Sequence, residues 1–193
     1  MKDVDAALSP PMLLAIAYAP ASVRVRLAWL LEFDRRLLSI LDRTSEPMIA
    51  QLRLSWWRDA LKSAPDKRPK GEPLLASLSD IEPDGATIDA GLLLIDAYEI
   101  LAIDAESLEQ DAARVQRITA ICNAYADWSG GAKIKQSQIT RISDWWTNPN
   151  GPPPKSLPRI LRSLSILALA EQMENAHIAK SPLRLNWHAL TGR

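Results

Sequence analysis

The chain has 193 residues, with 23 Lys and Arg against 23 Asp and Glu, and its formal net charge is zero. That balance argues against nucleic-acid binding driven by phosphate neutralisation. The single cysteine, Cys122, excludes an intramolecular disulfide and a Cys-rich zinc site, and two histidines, His177 and His188, are too few for a His-rich metal site.

The length fits one domain over 1–193 that buries roughly two-thirds to three-quarters of its unfolded surface. Leu, Ile and Ala dominate, and the apolar spacing is helical nearly throughout. It predicts helices near 10–18, 21–42, 46–63, 73–79, 86–102, 104–127, 135–146, 156–175 and 183–190. Pro-rich or Gly-rich breaks separate them, among them 64–73, 82–85, 130–131 and 148–154. No window has the ~18 uncharged apolar residues of a membrane span. No basic region precedes an apolar segment at the start, so no signal peptide is expected. The expected location is the cytoplasm.

On the second helix, Val23, Leu27, Leu30, Leu31, Leu37, Leu38 and Leu41 share a face, and Asp34 lies at its centre. The third helix opens with Ser45 as a cap, then Glu46 and Pro47 in the first turn. Ile49, Leu52, Trp56 and Ala60 form its apolar stripe, flanked by Trp57 and Leu61. Arg53 falls inside this stripe and Arg58 points away from it. A buried arginine needs a carboxylate or a phosphate. The plain expectation is an Asp34–Arg53 ion pair across an antiparallel helix hairpin, with a phosphate ligand as the alternative. On the helix near 86–102, Ile88, Leu92 and Ile95 line one side, with Glu99 between them and Asp96 at the edge, so a third inward acid can join the pair.

Trp56 and Trp57 either pack in the core or line an apolar pocket. Cys122, on an inward side with Ala112, Val115 and Thr119, reads as a buried structural thiol. The Trp145-Trp146 doublet is either a partner or membrane-surface contact, which would make the protein peripheral to a membrane, or a cluster packed under the Pro-rich loop that follows. His177 and His188 read as surface or helix-end residues. No Ser-His-Asp arrangement, Gly-rich phosphate loop or metal-ligand spacing is present.

With these residues in view, the chain resembles the squalene/phytoene synthase family, the head-to-head branch of the all-helical isoprenoid synthases. Tyr18-Ala19-Pro20, Arg24 or Arg26, and the run Leu27 to Asp34 are similar to the family's first helix pair. The stretch Glu46-Pro47 to Leu61 resembles its tryptophan-containing third helix, closest to the phytoene-synthase-like branch, which includes a respiratory complex I assembly factor. Leu94 to Glu99 is similar to a later family segment, and Ala189 to Arg193 to a common family ending.

The resemblance implies an all-α, single helical bundle of the isoprenoid synthase type around an apolar cavity, here reduced in length. It also implies magnesium ions held by two aspartate-rich motifs, each with acids four residues apart on one helix face. In one register the first motif spans Leu38 to Asp42, and Leu38 cannot ligate a metal. Only Asp42/Glu46 and Asp80/Asp84 have the i, i+4 spacing, and neither pair lies within a predicted helix.

Two functions follow as expectations. The first is a catalytically degenerate member that acts as an interaction or assembly factor, with an unidentified protein partner or a prenyl or lipid ligand and no cofactor. The second is a magnesium-dependent prenyltransferase joining prenyl diphosphates head to head. There Arg53, Asp34 and Tyr18 would face the diphosphate, Asp42, Asp96 and Glu99 the metal, and Leu38, Trp56 and Trp57 the prenyl chain.

Overall fold

The computed structural model describes residues 8–44, 46–81, 85–103, 107–130, 134–148, 151, 153–155 and 157–175. Among them are eight α-helices and no strand: α1 (Pro10–Tyr18), α2 (Arg24–Asp42), α3 (Pro47–Lys62), α4 (Pro73–Ile81), α5 (Ala86–Leu101), α6 (Ser107–Trp128), α7 (Gln136–Thr147) and α8 (Arg162–Asn175). The fold class is all-α, as the apolar spacing predicts. The expected helix at 183–190 lies outside the described residues, as does Ser45.

The boundaries have local causes. Proline stands in the first turn of α1 and α3, where its missing N–H is no loss. Ala19 is extended ahead of Pro20, which ends α1. Arg24 donates to the Ala19 carbonyl at 2.9 Å and the Ala17 carbonyl at 3.0 Å, satisfying acceptors that the helix end leaves open. Gly85, with φ of 79°, supplies the left-handed residue that leads into α5.

The chain forms two compact units. In one, residues 29–124, α3 packs on α5. Its centre is aromatic: Trp29 stacks on Phe33 with centroids 5.0 Å apart, and Phe33 meets Trp57 edge-on at 5.1 Å. The Trp29 indole donates to the Leu74 carbonyl at 2.8 Å, which satisfies its buried polar atom. Gly91 of α5 lies against this cluster. A Cβ there would sit 3.1 Å from Leu61, 3.3 Å from Trp29 and 3.4 Å from Phe33, so the interior at this crossing is close-packed.

In the other unit, residues 8–28 and 125–175, α8 packs against α1 and α7. Trp145 and Trp146 are both buried. The Trp146 indole donates to Glu171 at 3.2 Å, and Gln172 donates to the Trp145 carbonyl at 2.6 Å. Trp145 also lines a cleft with Pro153 and Pro154. The doublet is therefore the packed cluster of the two readings, not an exposed contact.

Three helix faces differ from the expected ones. On α3 the buried residues are Ala50, Leu54, Trp57, Ala60 and Leu61, so the helix is turned by about one residue. This helix carries apolar residues on two faces. The face with Trp57 and the small Ala50 and Ala60 fills the interior, while the stripe of Ile49, Leu52 and Trp56 faces out. On α2, Trp29, Phe33 and Ile40 are buried, Leu38 is 43% exposed and Leu41 only half-buried. On α6, Ala112 and Val115 are exposed, while Ala113, Ile118, Ile121 and Cys122 are buried.

Candidate functional site

Asp34 is 2% exposed, at the position on α2 where the sequence places an inward charge. Its partner is Arg117 of α6, not Arg53. The guanidinium donates from Nε to Oδ1 at 2.7 Å and from Nη2 to Oδ2 at 2.6 Å, a two-pronged contact that matches the carboxylate plane. The Tyr98 hydroxyl of α5 adds a third donor to Oδ1 at 3.0 Å. Burial, reinforced by the negative charge of Asp34, pushes the Tyr98 phenol well above its ordinary pKa, so it remains a proton donor. Three helices thus meet around one neutralised charge pair.

The second cluster centres on Arg58, the arginine expected to point away. Its Nη2 donates to Asp96 at 2.6 Å and to Glu99 at 2.8 Å, and its Nε donates to Glu99 at 3.2 Å. The hydrogen bond that Arg58 donates to Glu99 is the largest cause holding the guanidinium pKa above its usual value; the bond to Asp96 and both carboxylate charges add to it, and desolvation opposes them. Gln51 fixes the same helix turn by donating to the Glu99 carbonyl at 2.6 Å. These side chains are 23% to 42% exposed, so the cluster is a rim feature rather than part of the core.

Arg53 is exposed and donates to the Thr44 hydroxyl at 3.2 Å. The expected Asp34–Arg53 pair does not form, because the rotation of α3 carries Arg53 outward with Leu52 and Trp56. Leu38 and Trp56 are likewise partly exposed, at 43% and 44%, while Trp57 packs on Phe33. Asp42 is exposed at the end of α2, where it lines a cleft of about 220 Å³. Tyr18 is half-buried at the end of α1, in the other unit. His177 and His188 lie outside the described residues.

The structure therefore brings Asp96 and Glu99 together, but on an arginine. Among the described residues, no group of three or more His, Cys, Asp or Glu side chains could hold a metal ion, so Asp42 does not join them. Magnesium, which the family resemblance implies, does not fit this donor set. The carboxylates at Asp34, Asp96 and Glu99 already face guanidinium groups whose charge opposes a divalent cation, and Leu38 offers no oxygen.

Sequence reasoning missed Arg117. A signal was present: it lies four residues after Ala113 and four before Ile121, both fully buried, so it belongs to the inward face of α6.

Cys122 is fully buried, and burial pushes its thiol up to about 12. It should not react with a water-soluble disulfide reagent in the native protein and should react once urea unfolds it. Burial also raises Tyr98 and Tyr125. Because each folded pKa lies above its unfolded value, the associated stability is present below the unfolded pKa and lost as pH rises through the interval between the two. For Cys122 that interval runs from 9.0 to about 12. Unfolding free energy should fall across it by up to about 1.4 kcal/mol per pH unit for each such group, measured by urea titration.

Residues 7–100 match the model of the squalene/phytoene synthase family, just under half of the chain. This segment, which holds α1 to α4 and nearly all of α5, is similar to that family. No curated protein and no solved structure matches the chain. Asp34, Arg58, Asp96, Tyr98 and Glu99 lie within the matched segment, whereas Arg117, which neutralises Asp34, lies beyond it.

Proposed function

We propose that this chain is a catalytically degenerate member of the squalene/phytoene synthase family that works as an interaction or assembly factor. The observation that carries the reading is the Asp34 carboxylate, closed off by Arg117 and Tyr98. A carboxylate held by a fork of donors in the interior is stabilised as architecture and is not available to a substrate-bridging ion. Leu38, in the position that the aspartate-rich motif would occupy, and Asp96 and Glu99, held by Arg58, support the same reading. The close packing at Gly91 supports a filled interior between α3 and α5 over a hollow for a prenyl chain.

The test is turnover. Purified protein incubated with magnesium and a radiolabelled C15 or C20 prenyl diphosphate should release no diphosphate above the protein-free control. Metal-dependent formation of a head-to-head product would establish the prenyltransferase alternative instead.

A further inference from the structure

We draw no further inference here: the strongest candidate, the exposed apolar face of α3 formed by Met48, Ile49, Leu52 and Trp56, carries nothing, because nothing in the structure shows what covers it.

Discussion

Asp34→Ala is expected to lower the unfolding free energy by about 3–5 kcal/mol in urea titrations. Removing one member of a buried pair leaves the other charge without compensation, and that penalty exceeds the worth of the contact itself. Here the stranded group is Arg117, whose side chain is 14% exposed, with the Tyr98 hydroxyl losing its acceptor as well. The paired substitution Asp34→Leu with Arg117→Met removes both charges at similar volume and should recover much of the loss. Arg53→Met is the contrasting control. Since Arg53 is exposed and bonded to a hydroxyl, its change should stay within about 0.5 kcal/mol. Equal losses for Asp34→Ala and Arg53→Met would mean that Arg53 is the partner after all.

The tryptophan doublet should divide sharply. Trp57→Ala is expected to cost about 3–5 kcal/mol, because it empties the edge-on contact with Phe33 in a close-packed interior. Trp56→Ala should cost about 1 kcal/mol. Trp56 is 44% exposed and chiefly loses its edge-on contact with Trp57, at 5.1 Å. Both values come from thermal or urea unfolding. A larger loss at Trp56 than at Trp57 would restore the helix phase that the most apolar stripe suggests.

That comparison also shows why part of the site was legible and part was not. The all-α class follows from apolar residues recurring at three and four positions, with prolines at the breaks, and the observed boundaries fall close to the predicted ones. The burial of Asp34 was legible because it is a lone charge amid leucines on a single apolar face. The phase of α3 was not. Ile49, Leu52 and Trp56 compete with Leu54, Trp57 and Leu61 for the inside, and the sequence does not say which face the neighbouring helix accepts. The small residues Ala50 and Ala60, with Gly91 opposite the inner face, settle the matter through close approach, which no periodicity records.

The partner of Asp34 was hidden for a different reason. A helix hairpin favours pairing between sequence neighbours, and Arg53 is the nearest apparently inward cation. The actual partner stands 83 residues away on α6. Bidentate geometry and a shared tyrosine favour it, and neither can be read from spacing alone. Arg58 was misplaced by the same rotation that freed Arg53, which moved it beside Asp96 and Glu99. Asp96 and Glu99 on α5 thus meet Arg58, not the expected Asp34–Arg53 pair.

The proposed reading rests on the buried Asp34 and the rim acids Asp96 and Glu99 being neutralised by the chain's own arginines. Isothermal titration of farnesyl diphosphate into the protein, with and without magnesium, addresses it most directly. The account predicts no magnesium-dependent saturable heat. Magnesium-dependent binding in the micromolar range, about 8 kcal/mol of free energy, would contradict it, most decisively if Asp34→Asn abolished that binding while the protein remained folded.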